Sequence, residues 1–239
     1  VRRAESERKG RLRGFGFGMY LEQCGGGTDG GVDVRFREDG TILVLAAQQE
    51  NGQGHRTTLT QILSDRLGFD ADKIEIFQGD SAITPPGTTG GARMTTILGS
   101  AVAEVAAKTI DTARPQAAEA LKCAEEEVIF ADGVFSSANT NHSITIEDLA
   151  LRLVPDNGAH PFDIKHQYET DGATYPYGCH VVELEVDPGT CKVDLLRYTV
   201  VDDFGAVINP LTLEGQVHGG IAQGIGQAIY EYAAFDDQG

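Results

Sequence analysis

Residues 41–68, TILVLAAQQENGQGHRTTLTQILSDRLG, decide how the rest of the chain is read. Thr41 to Ala47 is an apolar run of strand length. Gly52-Gln53-Gly54 then forms a short Gly-rich turn. Beyond it Leu59, Ile62, Leu63 and Leu67 fall at helical spacing, and Gly68 supplies the stop. Such a turn leaves unpaired backbone N–H groups at the helix start, where the macrodipole adds positive potential. The stretch predicts a strand that feeds a ligand-accepting helix start.

A second stretch has the same plan. Asp80 to Thr96 is rich in Gly, Pro and Thr, with almost no apolar periodicity, and a loop of that length in a compact domain is functional or disordered. It carries Gly90-Gly91-Ala92-Arg93 and runs into an Ala-rich helix marked by Leu98, Ala101, Val102, Val105 and Ile110, with a kink or restart expected at Pro115. A third helix begins at Asn209-Pro210, with Asn as cap and Pro at the first position. It holds Gly215, Gly219, Gly220, Gly224 and Gly226. Each glycine costs up to about 1 kcal/mol relative to Ala, so the cluster points to close approach by a backbone or a ligand.

Three constellations follow. Gln53 offers two amide donors and an acceptor to a heterocycle edge or an oxo group; the plain alternative is a cap turn with an exposed Gln. Gly90, Gly91, Ala92 and Arg93 combine backbone donors with a guanidinium, which suits phosphate; the alternative is a loop with a surface Arg. Gln223 stands on the Gly-studded helix, whose alternative role is close packing. Glu50 reads as a solvated or capping carboxylate.

Around these, the hairpin turn Glu38-Asp39-Gly40 joins a strand at 32–36 to the one at 41–47, and strands are expected at 15–24 and 73–77. A hairpin at 128–135 precedes a short helix capped by Thr145. Strands at 163–170, 179–186 and 191–201 follow, the last two joined by Asp187-Pro188-Gly189-Thr190 with Cys191 opposite Val186. The expected class is α+β, mostly antiparallel sheets with packed helices. The chain divides into a lead-in (1–14), a first subdomain (15–160) and a second (161–239).

With 239 residues, 41% of them hydrophobic, a sizeable core is available. A net charge of −17 argues against nucleic acid and anionic membrane as partners. No apolar run reaches the roughly 18 residues of a membrane span, and no signal peptide is evident. Cys24, Cys123, Cys179 and Cys191 show no metal or cluster spacing, and a reduced cytoplasmic protein is expected. No protein ligand for a metal is predicted. The missing initiator Met and the ending Phe235-Asp236-Asp237-Gln238-Gly239 suggest a piece of a longer chain.

Together the three motifs resemble the C-terminal molybdopterin-binding part of the molybdenum hydroxylase large subunit, the xanthine dehydrogenase, aldehyde oxidase and carbon monoxide dehydrogenase family. Gly52-Gln53-Gly54-His55 with Thr57 is similar to the family's cofactor-contacting element. Thr89-Gly90-Gly91-Ala92-Arg93 resembles the segment that wraps the pterin phosphate, and Asn209-Pro210 through Gln223-Gly224 the helix whose second Gln contacts the pterin. His55 after the Gly-Gln-Gly turn is closer to the carbon-monoxide-dehydrogenase-like branch. The resemblance implies two subdomains of the cofactor-binding type, with Gly52, Gln53, Gly54, Gly90, Gly91, Ala92, Arg93 and Gln223 as cofactor contacts.

It further implies molybdopterin with molybdenum, as a mononucleotide or a cytosine dinucleotide, and hydroxylation of an aldehyde, N-heterocycle or carbon monoxide with oxygen from water. Iron–sulfur and FAD groups would reside on partner subunits or other segments, with the remainder of the large subunit also a partner and a dimer in the full enzyme. Two departures stand out. Met94 replaces a hydroxyl residue, and the Gly-Glu-rich segment bearing the family's general base is not among these residues, so the chain alone is expected to be inactive. The contrasting reading is a non-catalytic anion- or nucleotide-binding or scaffolding module on the same fold.

Overall fold

The structure is a computed structural model that describes residues 1–25, 30–170 and 172–239. In chain order, α1 (Arg2–Arg8) precedes strands β1 (Leu12–Leu21), β2 (Cys24–Gly25), β3 (Gly30–Phe36) and β4 (Ile42–Ala46). Helix α2 (His55–Leu67), β5 (Ile74–Phe77) and the long helix α3 (Met94–Leu121) follow. Next come β6 (Ile129–Ala131), β7 (Val134–Ser136), β8 (Ser143–Thr145), α4 (Ile146–Arg152) and β9 (Ile164–Tyr168). The chain then forms β10 (Ala173–Thr174), β11 (Tyr177–Val186), β12 (Val193–Asp203) and α5 (Pro210–Ile225).

The residues form two compact units interleaved along the chain: Val1–Cys24 with Gly172–Ala206, and Gly25–Asp171 with Val207–Gly239. This partition differs from the consecutive subdomains 15–160 and 161–239 drawn from motif order.

The first unit is an antiparallel sheet in the order β1-β11-β12 with α1 beside β1. Glu183 accepts from Arg2 at 2.7 Å and from Arg13 at 2.8 Å, which ties α1 to the sheet. The alternating Phe15, Phe17, Met19 and Leu21 share one face of β1 and are exposed. The β11–β12 turn is longer than the sequence suggested. Val186 pairs with Val193, not Cys191, because Cys191 takes φ 58 inside the turn and donates to the Asp187 carbonyl at 2.7 Å. Cys179 pairs with Val201 instead, and both cysteines are free.

The second unit carries the main core. Its sheet runs β5-β4-β3-β9, antiparallel except for the parallel pair β4–β5. Val32, Val34, Ile42, Val44 and Ala46 of the sheet meet Leu59, Leu63 and Leu67 of α2 and Leu98, Val102 and Val105 of α3, all nearly fully buried. Each Leu or Val buried this way contributes about 1.5–3 kcal/mol before entropy is counted. Gly68, in the left-handed region at φ 61, ends α2 as expected. It also abuts the β6–β7 turn, where a Cβ on Gly68 would lie 2.4 Å from Gly133 Cα. Thr145 caps α4 through the Asp148 N–H at 3.0 Å.

α3 runs unbroken through Pro115, contrary to the restart expected there. Ala113, Ala117 and Ala118 are buried on either side, and Arg114 is pinned by its bond to the Val128 carbonyl at 2.6 Å. Tertiary packing thus outweighs the lost donor.

Candidate functional site

The parallel pairing of β4 and β5 governs the geometry. Both strands run toward the same end of the sheet, so the connections leaving them, 47–54 and 78–93, emerge side by side. Each ends at a helix N-terminus, α2 after Gly54 and α3 after Arg93. In open α/β arrangements this end of the strands is where ligands bind. Topology therefore brings together the two turns that are far apart in sequence.

Direct contacts hold them there. The Thr89 hydroxyl donates to the Gln49 carbonyl at 2.9 Å and also stands 3.2 Å from Gln49 Oε1. Gln78 Nε2 bonds the Gln48 carbonyl at 2.5 Å, tying the end of β5 to the end of β4. Sequence reading took Thr89 only as the first residue of the segment at 89–93 and passed over Gln49. A run of Gln between a strand and a Gly turn is the only signal for Gln49.

The two helix starts share a backbone device, a left-handed residue just ahead of the first helical turn. At α2 it is Gly54, with φ 80 and ψ 26. At α3, Gly91 (φ 59) and Ala92 (φ 49) precede Arg93, which has returned to helical angles at φ −94 and ψ −9. A left-to-right junction turns successive N–H groups toward one concavity, the geometry of an anion nest. Ala92 bears a strain of about 1–2 kcal/mol for adopting positive φ with a Cβ. A Cβ on Gly52, Gly90 or Gly91 would meet nothing within 4 Å, so the approach to both turns is open.

The side chains are partly committed. Gln53 Oε1 accepts from the Asn51 N–H at 2.5 Å. Only the carbonyl oxygen can accept there, so the amide orientation is set and both Nε2 hydrogens face away from that bond. Arg93 Nη2 donates to the Thr88 carbonyl at 3.2 Å, while its Nε is buried and, among the described residues, has no partner. Met94 is 5% exposed and belongs to the core, so no side chain there serves an anion. His55 is also buried, with Nδ1 lacking a partner among the described residues. Burial holds its pKa below the ordinary value, against the upward pull of Glu50.

Glu50 is a capping carboxylate, accepting from the Gly54 N–H at 2.7 Å. The start of α5 joins the same region. Asn209 accepts from the Thr212 N–H at 3.0 Å as the helix cap, and its Nδ2 donates to Gln61 Oε1 of α2 at 2.8 Å. Gln223 is less closely placed. It is exposed, its side chain makes no hydrogen bond among the described residues, and it lies about 16 Å along α5 from Thr212 by helical rise. The glycines at 215, 219, 220 and 224 have open space where a Cβ would stand, so nothing among the described residues uses the close approach they allow. Among the described residues no group of three or more His, Cys, Asp or Glu is placed to hold a metal, and no helix is long and apolar enough to cross a membrane.

The sequence profile of the molybdopterin cofactor-binding domain matches residues 1–239. The chain is 31% identical over 238 residues to the 6-hydroxypseudooxynicotine dehydrogenase complex subunit gamma of Paenarthrobacter nicotinovorans, covering 96% of this chain and 30% of that protein. It is 30% identical over 231 residues to the carbon monoxide dehydrogenase large chain of Hydrogenophaga pseudoflava, covering 95% and 29%. The structure superposes on reconstituted CO dehydrogenase from Oligotropha carboxidovorans with TM-score 0.87 at 28% identity, covering 99% of this chain and 32% of that one. The chain spans about a third of the length of the relatives it matches. It belongs to the molybdopterin cofactor-binding domain family of the molybdenum hydroxylases.

Proposed function

We propose that this chain holds the cofactor between the turns 52–54 and 88–93, within the large subunit of an oxidoreductase that hydroxylates a small carbon substrate with oxygen from water. The observation that carries the reading is the pair of helix starts at one end of β4 and β5, with Arg93 Nε at the second buried and, among the described residues, without a partner. A buried guanidinium N–H without an acceptor is costly unless a ligand supplies one. The donor set fits a phosphate-bearing heterocycle. The N–H groups at the start of α3 and Arg93 suit the phosphate, and the free amide hydrogens of Gln53 suit an acceptor atom on the neutral part.

When bound, the cofactor supplies the molybdenum redox chemistry. The residues here bind and orient it: Gly90, Gly91 and Ala92 present backbone donors, Gly52 and Gly54 shape the first turn, and Gln53 fixes one edge. Gln223 is assigned to the pterin by its place in the third motif. The substrate is an aldehyde, an N-heterocycle or carbon monoxide, and the cofactor is molybdopterin as a mononucleotide or a cytosine dinucleotide. Electrons leave through iron–sulfur and flavin groups on partner subunits, and the full enzyme is a cytoplasmic dimer. The chain alone turns over none of these substrates, since no residue in it takes the part of the general base.

The test is the molybdenum content of the full-length protein carrying Gln53→Ala. The reading expects reduced molybdenum with an unchanged melting temperature. Full molybdenum occupancy would remove Gln53 from the site.

A further inference from the structure

Glu50 stands four residues ahead of the Gly that starts α2, and its carboxylate reaches back over the turn. It accepts from the Gly54 N–H at 2.7 Å and from the Arg56 N–H at 3.4 Å, and Arg56 Nε lies 3.9 Å from it. Its side chain is 21% exposed. The positive end of α2 is thus filled by an anion of the chain's own, and two of its donors are in use.

The start of α3 has the opposite character. Arg93 makes no side-chain cap bond, no acid stands in the first helical turn, and Arg93 Nε is buried without an acceptor among the described residues. Two helix starts built on the same backbone device, at the same end of the sheet, therefore differ in charge. A phosphate approaching α2 would face a carboxylate; one approaching α3 would meet a guanidinium.

We propose that Glu50 is a specificity-determining residue that sets the direction in which the ligand lies. It keeps phosphate off α2, reserves that turn for an uncharged acceptor edge read by Gln53, and sends the phosphate to α3. The inference rests on the reading of the site given above, and adds the residue that enforces the polarity stated there. Glu50 does so without touching the phosphate, by filling the place a phosphate oxygen would take.

The experiment is calorimetric titration of the cofactor-free full-length protein with inorganic pyrophosphate. Arg93→Ala is expected to weaken binding about tenfold. Glu50→Gln keeps an acceptor for the Gly54 N–H while removing the charge, and is expected to tighten binding about fivefold. The double variant Glu50→Gln with Arg93→Ala should bind better than Arg93→Ala alone, because α2 then accepts the anion. If Arg93→Ala binds like the wild type, the phosphate assignment at α3 fails and this inference with it. If Arg93→Ala weakens binding but the double variant shows no recovery, Glu50 is a helix cap alone, and the inference falls while the site reading stands. A cap without electrostatic function would lower the melting temperature and leave pyrophosphate affinity unmoved. Glu50→Ala provides a second neutral variant should the Gln form fold poorly.

Discussion

Gly54 and Thr212 meet where α2 and α5 begin: a Cβ added to Gly54 would sit 2.9 Å from Thr212 Cγ2. Thr212 is not free to turn away, because its hydroxyl bonds the Asn209 carbonyl at 3.1 Å. Gly54 also holds φ +80, which L side chains rarely adopt. The glycine between Gln53 and His55 therefore serves both the turn and the seat of the third helix.

Gly54→Ala is expected to destabilise the protein by about 2–4 kcal/mol, combining left-handed strain with overpacking. Urea denaturation measures it. In a Thr212→Ser background, where Cγ2 is gone, the same substitution should cost less but not nothing, because the backbone strain remains. Equal costs in both backgrounds would show that the contact carries no energy.

His55 gives the fold a pH dependence. Its folded-state pKa lies below the ordinary value of 6.5 because the ring is buried. In the window below 6.5 the unfolded chain binds the proton more readily than the folded one. Stability from this group is thus present above that pH and is lost as pH falls through the folded pKa. Chemical denaturation at pH 7.5, 6.5 and 5.5 should show a decline that His55→Gln flattens. An unchanged slope in the variant would place the titration elsewhere.

Asn209→Ala removes both the cap of α5 and the bond to Gln61. A lost cap costs about 0.5–2 kcal/mol. Since α5 buries no residue, the loss should appear as faster amide hydrogen exchange across 210–225, with the core of α2 and α3 unaffected. Exchange that accelerates equally in α3 would contradict a local role for this cap.

Much of the fold was legible because its punctuation is local. Gly54 and Gly68 bound α2, Asn209-Pro210 starts α5, and Thr145 caps α4, each through a contact within a few residues. The antiparallel hairpin of β3 and β4 was equally readable from its turn. What was not legible depends on distant partners. Strand β5 has four residues and no feature that announces a parallel partner, so the pairing that brings the two turns together could not be read from it. The long helix ignored Pro115 because alanines packed on both sides of it. Glu50 was legible as a solvated or capping carboxylate, and it does cap Gly54 N; the contrast in charge with the start of α3 was not, because it needs both helix starts at one end of the sheet. The glycines of α5 promised a close neighbour, and the space beside four of them is open.

The central claim, that the starts of α2 and α3 hold one phosphate-bearing cofactor, is tested most directly by the affinity of the full-length protein for molybdopterin when Arg93 is replaced by Ala. The account predicts a loss of about 1.5–3 kcal/mol, or roughly ten- to a hundredfold in affinity, with the fold intact by circular dichroism. Retention of full molybdenum and pterin occupancy in the Arg93→Ala protein would contradict it.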